Sequence, residues 1–231
     1  MYRDVERSAP KSDISSIFFS VVIPAYNRAH LITRALNSLI AQTESDWEAI
    51  VIDDGSTDDT YSGVKPFLHM GKRIKYRKIV HSGESSARNE GILLSNGRYI
   101  TFLDSDDEYK PEHLKSRRTI LTQHPSINFL HGGASILGNQ YVPDRFDPDK
   151  LIHLSECVIG GTFFIEQQLL RSLGGFKQIL LGPDADLFER ALKAGADIMK
   201  TMLPTYIYHR ESLDSITNIF KSNDKVPDSS I

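Results

Sequence analysis

Four short apolar runs recur through the first half of the chain, and each stops at a polar cluster. Residues 18–23 stop at Pro24-Ala25-Tyr26-Asn27-Arg28, and residues 47–52 at Asp53-Asp54-Gly55-Ser56. Residues 74–80 stop at His81-Ser82-Gly83, and residues 98–103 at Asp104-Ser105-Asp106-Asp107. Each run is too short for a helix and has the β-branched and aromatic content of a buried parallel strand. The third alternates with basic residues and reads as more exposed. Between the runs lie helical patterns. Leu31, Ile32, Ala35, Leu36, Leu39 and Ile40 fall on one helical face, with Asn27 as the expected cap. Ser56-Thr57-Asp58-Asp59 resembles a capping box opening a helix toward Met70, which Pro66 kinks or ends. Residues 85–94 form a third helix, closed by Asn96-Gly97. This βαβαβαβ order implies a parallel sheet with helices on both faces.

The second half is less regular. A helix is expected over residues 111–124 with proline at its start, and strands over 127–131 and 134–142, the latter broken at Gly138-Asn139. Residues 144–155 read as loop. Gly160-Gly161-Thr162 leads into a strand at 163–165 and a short helix to Leu173. A helix over 184–194, a strand over 197–203 and an extended stretch over 205–208 complete the pattern. The fold class is α/β, one Rossmann-like domain with a mixed, mostly parallel sheet flanked by helices. It is expected over residues 17–220, in two halves, 17–110 and 111–220. Residues 1–16 and 221–231 are polar and aperiodic and read as a leader and a tail.

Composition excludes several classes. The 27 Lys+Arg against 30 Asp+Glu leave a net charge of −3, without the basic excess of a nucleic-acid binder. No apolar run approaches the ~20 residues of a membrane-spanning helix, and the polar N-terminus lacks a signal-peptide core. One cysteine, Cys157, excludes an internal disulfide and a cysteine metal cage. A cytoplasmic protein is expected.

Open α/β sheets bind ligands at the carboxyl ends of their strands, where all four polar clusters would meet. Two are dense in carboxylates, so a phosphate-bearing ligand there requires a cation. Asp104 and Asp106 can face one site, and hard oxygen donors suit Mg²⁺ or Mn²⁺. The alternative is a solvated acidic turn that caps the next helix.

Four motifs together carry a resemblance: VVIPAYNR (21–28), VIDDGSTDDT (51–60), SSARNEGI (85–92) and YITFLDSDD (99–107). In this order and spacing they resemble the family 2 glycosyltransferases of GT-A fold. The likeness is strong to about residue 110 and thinner to about residue 215. It implies a metal-dependent, inverting transfer of a single sugar from a nucleotide-sugar, expected to be UDP-linked, to a saccharide or lipid-linked acceptor. It also implies roles. Pro24, Ala25, Tyr26 and Arg28 line the nucleotide pocket, with Tyr26 against the base. Asp53 reads the uracil edge, while Asp54 orders the turn or the ribose side. Arg88 lies near phosphates and base, and Asn89 orders its helix. Asp104 contacts the ribose or a metal-bound water, Ser105 lies on the nucleotide side, Asp106 binds the metal, and Asp107 caps or supports the site from behind.

For the acceptor half, the resemblance expects a catalytic base after a Gly-Gly-Phe turn. Gly174-Gly175-Phe176 is present, and Asp184 matches the base. Asp186 matches a second acid, and Pro183 stands where the family has glutamate. Asp184 could equally be a helix N-cap. Gly160, Gly161 and Thr162 resemble the small-residue turn near the donor sugar. His209 is a metal ligand or a structural histidine, and Arg210 a phosphate contact or a structural arginine. The pattern Asp214-Ser215-Ile216-Thr217 fits, with Ser212 where histidine is expected. The segment from Arg210 to Phe220 is expected to be a flap over bound donor. The processive synthases of the broad family carry membrane helices and a Gln-x-x-Arg-Trp motif. Neither is found here, so transfer of one sugar per acceptor is expected, with peripheral attachment to the inner face of the membrane. Two other readings remain open: a nucleotidyltransferase, against which Pro24–Arg28 has no glycine, and a non-catalytic nucleotide-sugar module, which Pro183 favours.

Overall fold

The computed structural model describes residues 17–69 and 73–211. The four apolar runs are strands: β1 (Phe19–Ala25), β2 (Trp47–Asp53), β3 (Ile74–Lys78) and β4 (Tyr99–Phe102). Between them lie α1 (Ile32–Ile40), α2 (Thr60–Val64), extended by a 3₁₀ turn through Pro66, and α3 (Glu84–Leu94). After β4 come β5 (Glu108–Tyr109), α4 (His113–Gln123), β6 (Phe129–His131), β7 (Ala134–Gly138), β8 (Tyr141–Pro143) and β9 (Leu151–His153). The chain continues through β10 (Phe164–Glu166), α5 (Gln167–Ser172), α6 (Pro183–Lys193), β11 (Ile198–Lys200) and β12 (Tyr206–Arg210).

Seven strands form the main sheet in the order β11-β6-β10-β4-β1-β2-β3. The β3-β2-β1-β4 half is parallel throughout. β10 enters antiparallel between β4 and β6, which makes the sheet mixed as expected. β1, β2 and β4 are buried along their whole length, so side chains on both faces are apolar. Phe19, Val21 and Ile23 pack with α1 on one face, while Val22 belongs to the opposite cluster with Ile100, Phe102 and Phe163. At Gly91 of α3 a Cβ would run into Val22, so the absent side chain lets the helix lie close on β1.

Three local expectations are corrected. Asn27 does not cap α1, which begins at Ile32. With φ of 52°, Asn27 turns the chain and accepts the Thr57 N–H at 2.8 Å, locking the loop after β1 to the loop after β2. Asp58 joins the same lock, accepting from Ala29 N and Thr60 N at 3.0 Å. Residues 144–155 are not all loop, because Leu151–His153 pairs antiparallel with β8. The expected 197–203 strand ends at Lys200. The chain then crosses to a second sheet, where β12 lies between β5 and β7. That crossing brings the C-terminal strand beside the Asp104–Asp107 turn. The expected leader, tail and most of the flap lie outside the described residues.

Candidate active site

The carboxyl ends of β1, β2 and β4, the start of α3 and the start of α6 meet at one crevice, with Arg88 at its centre. Its guanidinium is buried, with the aromatic rings of Phe176 and Phe102 centred 5.1 and 5.8 Å away. Nη1 donates to Asp184 at 3.0 Å and Nη2 to Asp104 at 2.8 Å, and Nη2 forms an ion pair with Glu84 at 2.6 Å. Burial opposes its charge, but Glu84, Asp104 and Asp184 hold it firmly protonated. An arginine with three carboxylates on its donors is a clamp between chain segments. The structure does not leave it free as a phosphate ligand.

Asp184 is the second residue of α6. Pro183 takes the first helical position, where a missing N–H costs nothing. The proline therefore leaves Asp184 undisturbed. Asp184 is no N-cap: its Oδ2 accepts the Gly160 N–H at 2.9 Å and its Oδ1 faces Arg88. Gly160 opens a 3₁₀ turn, and a Cβ there would overlap the Asp184 carboxylate. Burial pushes the Asp184 carboxyl up, Arg88 pulls it down, and Asp104 pushes it up again, with a net rise. One quarter of the side chain stays exposed, which leaves it open to a substrate.

Asp186 points elsewhere. It is held by Arg190 at 2.7 Å and Lys177 at 3.2 Å, and these bonds overcome burial to keep its pKa low. Gly161 makes room for the ring of Tyr206, and Thr162 spans Gly132 N and Ile159 O, a structural task. Asn89 does more than order its helix. It makes two 2.8 Å bonds to the Phe176 backbone and so fixes the Gly-Gly-Phe turn onto α3.

In the turn after β4, Asp107 is fully buried and accepts from Tyr206 Oη and, at 2.8 Å, from His209 N. His209 pairs through Nε2 with Glu108 at 2.9 Å. Arg210 is buried and donates to the Tyr141 carbonyl at 2.9 Å. Asp106 differs from its neighbours: its carboxylate enters no ion pair among the described residues, and Ser105 beside it is buried. Burial and the charge of Asp104 raise the Asp106 pKa, against a smaller opposing pull from Arg28 and Arg34. A carboxylate outside any ion pair and beside another is suited to a divalent cation. No three His, Cys, Asp or Glu side chains converge on a metal position among the described residues. Oxygens of a diphosphate and water would have to complete the coordination.

On the nucleotide side, Pro24 and Ala25 are buried at the end of β1 and Tyr26 is 40% exposed. The His81 ring stacks on Tyr26 at 4.1 Å and bonds Asp54 at 2.8 Å. Asp54 also accepts from Ser82 N and Gly83 N at 2.8 Å, so it orders the turn into α3 as expected. Asp53 is buried, accepting from Ser56 N at 2.7 Å and from Tyr76 Oη, which leaves its oxygens already engaged. Arg28 Nη1 donates to the carbonyls of Tyr26 and Asn27 at 3.2 Å. Sequence reasoning missed Glu84 and Tyr206. Glu84 could have been found four residues before Arg88 on a helix, the spacing of a favourable ion pair. Tyr206 carries no local signal, since only the crossing into β12 brings it here.

A family model described as glycosyl transferase family 2 matches residues 20–141, just over half of the 231-residue chain. The chain belongs to this family. A UDP-Glc:alpha-D-GlcNAc-diphosphoundecaprenol beta-1,3-glucosyltransferase of Escherichia coli, WfgD, is 33% identical over 157 residues, covering 65% of this chain and 61% of the relative. S. aureus TarS 1-349 in complex with UDP-GlcNAc superposes with a TM-score of 0.75 at 22% identity, over 91% of this chain and 62% of that one. The mannosyltransferase PcManGT of Pyrobaculum calidifontis, in complex with GDP-Man and Mn2+, gives 0.64 at 18% identity, over 82% and 56%. These likenesses show a GT-A fold. The chain spans about three fifths of WfgD and about one fifth of other curated relatives. Among the described residues no helix is long and apolar enough to cross a membrane.

Proposed function

We propose that the chain transfers one sugar, with inversion, from a UDP-sugar to a hydroxyl of a lipid-linked saccharide, with Asp184 as the base. The observation that carries this is the placement of the Asp184 carboxylate. It is fixed by Arg88 and Gly160, stays partly open, and shares the guanidinium that holds Asp104. Asp184 accepts the proton of the acceptor hydroxyl as that oxygen bonds to the anomeric carbon. The bond from that carbon to the diphosphate oxygen breaks, its electron pair leaves with UDP, and a single displacement inverts the centre. Burial raises the pKa of Asp184, which makes it a stronger base than a free carboxylate.

Asp106 would hold a divalent cation, Mg²⁺ or Mn²⁺, with Asp104 nearby. When bound, the ion supplies positive charge against the negative charge of the departing diphosphate. Bound Mn²⁺ in PcManGT and the position of Asp106 beside the charge of Asp104 both favour this assignment. The UDP-sugar and lipid-linked acceptor follow the relatives WfgD and TarS. Such an acceptor calls for peripheral work at a membrane surface.

The test is transfer from UDP-sugars to a sugar-diphosphate polyprenol in Mn²⁺ or Mg²⁺, with the product anomer read by NMR. Inverted product is expected, and Asp106→Ala should abolish metal-dependent UDP binding. Absence of nucleotide release from every UDP-, GDP- and TDP-sugar would overturn the proposal. A retained anomeric configuration would remove Asp184 from the role of base.

A further inference from the structure

Glu84 is the one carboxylate at Arg88 that the proposed reaction leaves without a task. It opens α3 just after Gly83, and its side chain remains 37% exposed. Its Oε1 meets Arg88 at 2.6 Å, while no hydrogen bond engages Oε2 among the described residues. Its Oε1 and Asp104 Oδ1 both lie within 2.8 Å of Arg88 Nη2, and Asp184 Oδ1 lies 3.0 Å from Nη1, so three carboxylates meet at one guanidinium. A sugar lying between Asp184 and a diphosphate held at Asp104–Asp106 would pass against Glu84.

We infer that Glu84 is a specificity residue that accepts a hydroxyl of a neutral donor sugar and rejects sugars carrying a carboxylate, such as uronic acids. This rests on the nucleotide-sugar reading above. The physical reason is the sign of the charge. A free carboxylate oxygen is a strong acceptor for a hydroxyl, whereas a second carboxylate at contact distance is repelled and finds Arg88 already committed. In an environment of effective dielectric near 20, two like charges ~6–8 Å apart repel enough to change affinity by at least about tenfold. The bland role of Glu84, an i,i+4 ion pair with favourable charge at a helix start, predicts no dependence on the sugar.

The experiment measures dissociation constants of UDP, UDP-glucose and UDP-glucuronate by calorimetry with Mn²⁺ for the whole chain, Glu84→Gln and Glu84→Ala. It is run at pH 8, because burial and the neighbouring carboxylates outweigh the pull of Arg88 and push the Glu84 carboxyl up to about 7. Melting temperatures without ligand verify that each variant folds. UDP should bind all three proteins equally. The wild type should favour UDP-glucose over UDP-glucuronate, and both variants should shrink that preference by about tenfold. An unchanged preference, with UDP still bound, overturns the role of Glu84 alone. Failure of UDP to bind the wild type overturns the nucleotide-sugar reading and this inference with it.

Discussion

Arg88 Nη1 stands 3.0 Å from Asp184 Oδ1, across 96 residues of sequence. The same guanidinium holds Asp104 through Nη2 at 2.8 Å. The candidate base on α6 and the diphosphate-side carboxylate after β4 are thus fixed to one rigid group on α3. Neutralising the base while keeping its shape isolates its chemistry. In Asp184→Asn the side-chain oxygen can still accept from Gly160 N–H or Arg88. Turnover should fall by about 10²–10⁴, with the dissociation constant for UDP changed only slightly. Steady-state rates beside calorimetric binding check this, and a turnover loss under tenfold would remove Asp184 from the chemistry.

The pH profile follows from the same contact. Asp184 must be ionised to take a proton, and burial places its pKa above the ordinary 3.8 while Arg88 pulls it down. Activity should therefore decline on the acid side through a raised pKa. In Arg88→Gln the lowering influence is gone, so the acid limb should move to higher pH. A limb that stays in place, in an active Arg88→Gln enzyme, would break the electrostatic link between the two residues.

Acid should also weaken the fold through its buried histidines. Burial holds His131 at about 4 against an ordinary 6.5, and His113 well below that value. Between those values the unfolded chain takes up protons that the folded one refuses, so stability is lost as pH falls from about 6.5 to 4. The His131 share is on the order of 3 kcal/mol at the lower end. Urea unfolding at pH 7 and pH 5 measures the loss, and His131→Gln should flatten the dependence. An equal slope in wild type and variant would exclude His131 as its source.

The parallel half was legible because its strands are buried on both faces and stop at polar clusters, so each boundary is written locally. That Asp104 and Asp184 come together at one crevice was legible by motif, since the motifs put both at loop ends facing the same sheet edge. The duties of Arg88, Asn89, His209 and Arg210 were not, because each is decided by a partner far away in sequence. Arg88 looks like a free phosphate fork until α6 brings Asp184 to it. His209 looks like a metal ligand until the register of β12 on β5 sets it beside Glu108. The short β8–β9 pair was hidden because residues 144–155 carry turn formers, and its pairing adds only three residues a side.

Gly160 offers the sharpest separation of geometry from charge. Its backbone lies outside the positive-φ region that only glycine tolerates, so alanine meets no strain there. A Cβ would nevertheless occupy the place of the Asp184 carboxylate and displace it from both the Gly160 N–H and Arg88. No charge is removed, and the nucleotide side of the crevice is untouched. Gly160→Ala should bind UDP like the wild type and lose turnover by about 10²-fold, as misplaced catalytic groups do. Loss of Asp184's bond to Gly160 should cost about 1 kcal/mol of stability, visible as a small shift in melting temperature. If Gly160→Ala turns over at the wild-type rate, the tight approach of Asp184 to this turn is not what positions the base.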